Sequence, residues 1–408
     1  MKILLINKFL YPKGGDVIST LETGRLLSEK GHKVIFWGMK HPLNSEYHYK
    51  DYFVSYVDFN KPMNILQAFK TTMRILYSFE AKKKIEELIK KEKPDIVHLN
   101  NFAHQISPSI LDIFAKYRIP TVMTMRDYKL VCPSYTMLSD GIPCERCKNG
   151  KYYRCFINKC TKNSYMKSLL NTVEMYLHHK ILHIYNRIDL IIATSQFLKE
   201  KHIEMGIRNE IVCLPNFVNI KDYLPEYQWK EKSIVYFGRL SREKGLFTLL
   251  KAIKGLNIQL KIIGDGPIRK DLGQKAKKER INNVVFVGYK LGKDLKKEIQ
   301  DSIATVLPSE WYEAFGRTVI ESFALGKPVI GARIGGIPEL VKDNENGLTF
   351  ESGNSEDLKD RILHLLKNPD KIIEMGRNAR KFVEENFNPE KHYQGLMKIY
   401  QMAIGRDK

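Results

Sequence analysis

Twice along the chain, a short continuous run of apolar residues gives way to a glycine-bearing loop and then to a stretch of helical period. Apolar runs of that kind suit strands buried on both faces, and the intervening helices supply the crossovers of a parallel sheet. The first series starts with a strand over 2 to 7, followed by Gly14-Gly15, a helix over about 17 to 30 closed by Gly31-His32, and a strand over 34 to 37. It continues with strands over 96 to 99, 121 to 124, 190 to 193 and 211 to 214. Around Pro215-Asn216 and the polar stretch 221 to 232 the pattern resets. A second series then runs through 233 to 237, 259 to 263, 284 to 287, 304 to 307 and 328 to 331. At 408 residues and 43% hydrophobic content the chain can bury two cores. The expectation is an α/β protein of two doubly wound domains, 1–216 and 217–388.

Ligands of doubly wound domains collect beyond the carboxyl ends of the strands. The conspicuous loops of both halves fall there, so two ligand edges face each other across a cleft. In the first half these are Lys13-Gly14-Gly15-Asp16, the stretch 98 to 104 with His104, and Arg126-Asp127-Tyr128. In the second they are Gly238-Arg239 through Lys244-Gly245, Gly264-Asp265-Gly266-Pro267, Gly288-Tyr289 and Gly335-Gly336. The most informative loop runs from Trp311 to Glu321. Glu313 precedes Phe315-Gly316, and Glu321 lies about two turns into a helix read over 317 to 325. Free backbone N–H groups at that helix start, set between two carboxylates, suit a polyhydroxylated ligand. Standing alone, the pair would read as solvated surface glutamates. Arg239 and Lys244 change that reading, because two cations directly after a buried strand match a diphosphate. Gly14 and Gly15 before a helix would let backbone N–H groups approach a phosphate.

The formal charge of +21 implies a negatively charged partner. Within 146 to 187 stand Arg146, Lys148, Lys151, Arg154, Lys159, Lys162, Lys167, Lys180 and Arg187 against Glu174 alone, interleaved with Tyr and Phe. From about 164 to 187 the spacing reads as a basic amphipathic helix suited to an anionic membrane surface, or to the core with a solvated basic face. Cys132, Cys144, Cys147, Cys155 and Cys160 cluster in an insertion over about 132 to 162, while Cys213 sits apart. Cys144, Cys147, Cys155 and Cys160 have a spacing that a closed, structural zinc knuckle would use; a cluster of reduced thiols is the plainer reading. The N-terminal apolar run is too short for a signal peptide, and no segment has the length of uninterrupted apolar residues a membrane span needs. The expected location is the cytoplasm, peripheral on the inner face of the cell membrane.

Glu313 with Glu321, the Gly238-to-Gly245 loop, Gly264-Asp265-Gly266-Pro267, Pro215-Asn216 and Gly335-Gly336-Ile337-Pro338-Glu339 together resemble the family 4 retaining glycosyltransferases. The resemblance spans almost the whole chain and implies the GT-B fold, two Rossmann-like domains facing across an interdomain cleft. It implies an N-terminal acceptor-binding domain and a C-terminal domain for the nucleotide-sugar donor, with a last helix over about 389 to 404 returning to the first domain. By that likeness Glu321 binds the ribose hydroxyls and Glu313 those of the sugar, while Arg239 and Lys244 hold the diphosphate leaving group. Ala314, Phe315 and Gly316 touch the transferred sugar through their backbone, Gly264 belongs to the donor edge, and the base lies near Gly288 and Tyr289. Catalysis would need no divalent metal or other cofactor. His104, Arg126 and Asp127 are the acceptor-side candidates, with Arg126 standing where many relatives carry histidine.

The resulting expectation is a hexosyltransferase that takes a nucleoside diphosphate sugar, uridine in preference to guanosine, to a saccharide or polyprenyl-linked acceptor in surface polysaccharide biosynthesis. No nucleic-acid partner is expected. Two competing readings are a nucleotide-sugar epimerase of the same fold and a non-catalytic basic module that binds membrane or nucleic acid.

Overall fold

A computed structural model describes residues 1–44, 46–59, 61 and 64–406. The N-terminal sheet contains β1 (Lys2–Ile6), β2 (Lys33–Trp37), β3 (Ile96–Leu99) and β4 (Thr121–Met125). The Cys-rich insertion follows with a small hairpin, β5 (Leu138–Ser139) and β6 (Ile142–Pro143), before β7 (Leu190–Ala193) and β8 (Ile211–Cys213) complete the sheet. Its order is β2-β1-β3-β4-β7-β8 with every pairing parallel. The second sheet consists of β9 (Ser233–Phe237), β10 (Gln259–Ile263), β11 (Val284–Gly288), β12 (Ala304–Leu307), β13 (Val329–Ala332) and β14 (Gly347–Phe350), ordered β11-β10-β9-β12-β13-β14 and also parallel. These are the two doubly wound domains the apolar runs predict. β14 extends the second sheet by a strand that the predicted series lacks.

Strand order reverses between β1 and β3 in the first sheet and between β9 and β12 in the second. Loops leaving neighbouring strands at such a point diverge to opposite faces and open a crevice. Helix starts in the molecule are of two kinds, capped by a side chain or left bare. Ser78 and Ser195 cap their helices by accepting from Ala81 N–H and Leu198 N–H. Helices Gly15–Glu29 and Arg317–Ala324 begin at Gly14 and Gly316 with no side-chain cap, which leaves their first N–H groups available to a ligand.

Helix Pro389–Ile404 leaves the second domain and buries Leu396, Ile399, Tyr400 and Ala403 against Ile3, Leu27, Ile96, Val122 and Leu190 of the first. Tyr400 Oη lies 2.8 Å from His98 Nδ1, and His392 Nδ1 lies 2.8 Å from the Pro215 carbonyl.

The stretch 164–187 corrects the single helix expected there. Helix Tyr165–Tyr176 passes into a wide turn, Leu177–Ile181, and after a left-handed His183 into a short 3-10 segment, Ile184–Arg187. The break falls where His178 turns inward to the Leu76 carbonyl, 2.7 Å away. Its sidedness is also unusual: the buried face carries Ser168, Asn171, Thr172, Glu174 and Met175, and the apolar Tyr165, Met166, Leu169 and Val173 point outward.

Candidate active site

The second domain presents its ligand edge as bare backbone. Gly264 N–H donates to the Gly288 carbonyl at 2.8 Å, and Gly238 N–H to the Ile263 carbonyl at 3.0 Å. A Cβ on Gly264 would stand 1.9 Å from the Gly238 carbonyl oxygen, at a φ of +139° that disfavours any side chain. Three adjacent strands therefore end in Gly238, Gly264 and Gly288 beside exposed Tyr289. Arg239 is exposed at the mouth, and Tyr135 of the other domain lies within the field of its charge.

The loops that leave β9 and β12 meet over the switch point. Lys244, from the first, donates to Glu313 Oε2, from the second, at 2.7 Å. The same oxygen accepts from Ser309 Oγ and Trp311 Nε1, each at 3.0 Å. Burial opposes the charge of Glu313, but the Lys244 ammonium and these two donors outweigh it and hold its carboxyl below the usual carboxylate range. The Glu313 backbone is fixed from behind: its carbonyl accepts from Gly336 N–H at 2.8 Å, and a Cβ on Gly335 would stand 2.3 Å from its amide nitrogen. Ala314 is buried with its carbonyl accepting from Ser195 Oγ at 2.6 Å, and buried Phe315 packs against Phe387.

Glu321 is separated from this cluster by Arg317, a residue that sequence reasoning overlooked. Arg317 Nε donates to Glu321 Oε1 at 2.7 Å, while its two terminal nitrogens cross the cleft to Ser19 Oγ at 2.8 Å and Glu22 Oε1 at 2.9 Å. Gly15 lies against the same side chain, since a Cβ there would stand 3.4 Å from Arg317 Cδ. One guanidinium thus ties the two uncapped helix starts together. Burial raises the Glu22 carboxyl above its usual value despite the opposing pull of Arg317. A second strap is Glu339, whose carboxylate accepts from Gln196 N–H at 2.9 Å and Phe197 N–H at 2.6 Å and so caps a helix of the opposite domain.

On the first domain, Arg126 reaches Asn100 Oδ1 at 3.0 Å and Asn216 Oδ1 at 2.8 Å. Burial lowers its guanidinium to about 10. Asp127 accepts from Lys129 N–H at 2.9 Å, and burial raises its carboxyl. These residues, with Asn100, Asn101 and Lys129, line a cavity of about 20 Å³ beyond the carboxyl ends of β3 and β4, room for about one water. His104 turns away from the crevice: its Nε2 lies 3.0 Å from Glu174 Oε2, which also accepts from Lys129 Nζ at 2.7 Å. Burial lowers the His104 pKa even beside that carboxylate. Glu174 has no counterpart among the residues singled out for the site, because its 70 and 45 positions of separation from these partners hide the contact.

All six cysteines are free. The Cys155 and Cys160 thiols hydrogen-bond each other, and burial together with the neighbouring Cys132, Cys160 and Cys144 pushes Cys147 up to about 12. Among the described residues, no group of three or more His, Cys, Asp or Glu side chains is arranged to hold a metal ion, so the zinc expectation gains no support from geometry. No helix among the described residues is long and apolar enough to cross a membrane.

Two facing doubly wound domains, with an interdomain crevice lined by glycine edges and uncapped helix starts, define a GT-B glycosyltransferase fold. A model of Glycosyltransferase Family 4 matches residues 13–222, and one of Glycosyl transferases group 1 matches residues 222–382. The chain belongs to the family 4 glycosyltransferases. It is 30% identical over 358 residues, 84% of its length and 88% of the relative's, to an uncharacterized 42.6 kDa protein in the cps region of Klebsiella pneumoniae. The O-antigen chain mannosyltransferase C of Escherichia coli is 26% identical over 223 residues, 52% of this chain and 58% of that one. Among solved structures, Anabaena Alr3699/HepE in complex with UDP and glucose superposes with a TM-score of 0.68 at 18% identity, covering 98% of this chain and 99% of that one.

Proposed function

We propose that the protein is a retaining transferase that moves a hexose from a nucleoside diphosphate sugar, carried on UDP, to a saccharide or polyprenyl-linked acceptor of surface polysaccharide synthesis. The observation that carries this reading is the Lys244–Glu313 pair, a cation and a carboxylate joined at 2.7 Å from loops on either side of the switch point. In the proposed complex Lys244 and Arg239 neutralise the departing diphosphate, with help from the uncapped helix starts at Gly15 and Arg317. Glu313 takes the sugar hydroxyls, Ala314, Phe315 and Gly316 offer their backbone, Glu321 takes the ribose, and Gly264, Gly288 and Tyr289 border the base. The anomeric C–O bond to the diphosphate breaks while the acceptor oxygen bonds on the same face, and the acceptor proton passes to the departing phosphate oxygen. Glu313 is not assigned as a nucleophile; its Oε2 is shared by three donors. Arg126 and Asp127 orient the acceptor, and His104 acts through Glu174. The UDP of the Anabaena neighbour and the O-antigen chain of the Escherichia coli relative support the donor and acceptor classes.

Screening UDP- and GDP-sugars for thermal protection, followed by NMR of the product, tests this reading. Protection by a UDP-sugar and a product that keeps the donor's anomeric configuration are expected, with Glu313→Gln retaining protection by UDP and losing turnover. An altered sugar nucleotide formed without acceptor would establish the epimerase reading, and no protection by any sugar nucleotide would leave a binding module. We further propose structural zinc on Cys144, Cys147, Cys155 and Cys160, on the knuckle-like spacing of these cysteines along the sequence. One zinc per purified chain is the expected result, and metal-free active protein would contradict it.

A further inference from the structure

Helix Ile65–Leu76 is held by local devices in place of a core. Asn64 and Gln67 form a reciprocal capping box at its start, and Ile75 is its one buried residue among those described. A helix of three turns is marginal in water on its own, and this one turns an apolar stripe to solvent: Ile65 is 91% exposed and Phe69 62%, beside exposed Leu66 and Met73. Helix Tyr165–Tyr176 packs against it and repeats the arrangement. Tyr165, Met166, Leu169 and Val173 are exposed at the same spacing as Ile65, Leu66, Phe69 and Met73, with Met166 at 75%. Two neighbouring helices therefore leave apolar stripes without a protein partner among the described residues.

The exposed charge carried by the two helices is cationic. Lys70, Lys151, Arg154, Lys167 and Lys180 are exposed on or beside these helices. Glu174, the one acidic residue between 146 and 187, is fully buried and paired with Lys129 and His104. An apolar stripe rimmed by cations, with the one acidic residue of the two helices turned inward, fits the boundary between acyl chains and acidic headgroups.

We propose that helices Ile65–Leu76 and Tyr165–Tyr176 together form the surface by which the protein docks on an anionic lipid bilayer. The inner side of the second helix supplies Glu174, which holds Lys129 beside Asp127. Docking therefore sets the acceptor side of the crevice one layer of side chains from the lipid, where a polyprenyl-linked acceptor would emerge. Only that last link rests on the transferase reading.

Sedimentation of the full chain with vesicles of phosphatidylcholine, alone or mixed with phosphatidylglycerol, tests the proposal. Binding to the mixed vesicles is expected, weakened by high salt and lowered at least about tenfold on neutral vesicles. The double variant Phe69→Asp/Met166→Asp alters exposed side chains only, and it should lose vesicle binding with an unchanged melting temperature and unchanged turnover on a short soluble acceptor. Equal binding by wild type and variant, or none by either, overturns the surface. So does a dimer in vesicle-free buffer that the variant dissolves, because the stripes would then belong to a second copy. Turnover on the soluble acceptor reports separately on the transferase reading.

Discussion

Lys244 and Glu313 stand 69 residues apart and neutralise each other in the crevice. In the proposed complex a diphosphate would compete with Glu313 for the ammonium. Replacing Lys244 with Met should slow turnover by about 10²–10³-fold, the usual loss when one stabilising donor is removed from a developing charge. Burial would then act on Glu313 without its main counter-ion, moving the carboxyl from below the ordinary value of 4.5 to above it. The acid limb of the kcat–pH profile should accordingly shift upward in Lys244→Met; an unshifted limb would show that Glu313 is held by Trp311 and Ser309 alone. Arg317 offers a second test. Arg317→Ala leaves the partly buried Glu22 and Glu321 without their cation and should lower stability by about 3 kcal/mol in urea unfolding, whereas a loss below about 1 kcal/mol would mean that the strap between domains is dispensable. The placement of Arg239, Lys244 and Glu313 in loops that follow buried strands, and of Glu321 inside the next helix, was legible in the sequence. Their mutual pairing was not, and Arg317 escaped because nothing in its local spacing points across 295 residues to Glu22.

Secondary elements were legible where apolar residues dominate a run: β3, β4, β7 and β12 are such runs and are buried throughout, whereas β14, equally buried, alternates Gly347 and Thr349 with Leu348 and Phe350 and lacks that signal. Helix Ile65–Leu76 was not expected, since its stripe faces away from the core and no strand frames it. The stretch 164–187 was read as one helix because its apolar period ignores the inward turn of His178. The C-terminal helix carries a pH prediction. Burial lowers His98 to about 3 and His392 to about 4, so the folded protein leaves both neutral while the unfolded chain protonates near 6.5. The unfolded state then binds more protons as pH falls through 6.5, and stability is lost in that direction. Each group contributes about 1.4 kcal/mol per pH unit down to its folded value. Denaturant unfolding between pH 7 and pH 5 should show this decline, and a flat profile would contradict neutral burial at the His98–Tyr400 and His392–Pro215 contacts.

At the scale of the molecule, the fold brings two switch points together and lets one guanidinium, one capping carboxylate and one returning helix tie the halves. Arg317, Glu339 and helix Pro389–Ile404 all cross between domains, so a ligand in the crevice touches elements that already restrain each other. Backbone hydrogen exchange with and without UDP measures whether the crevice is where the donor binds. Slower exchange is predicted in residues 238–245, 264–266, 288–289 and 313–321 and, across the cleft, at 14–18. Protection confined to one domain, or lying outside these loops, would contradict a donor held between the two switch points.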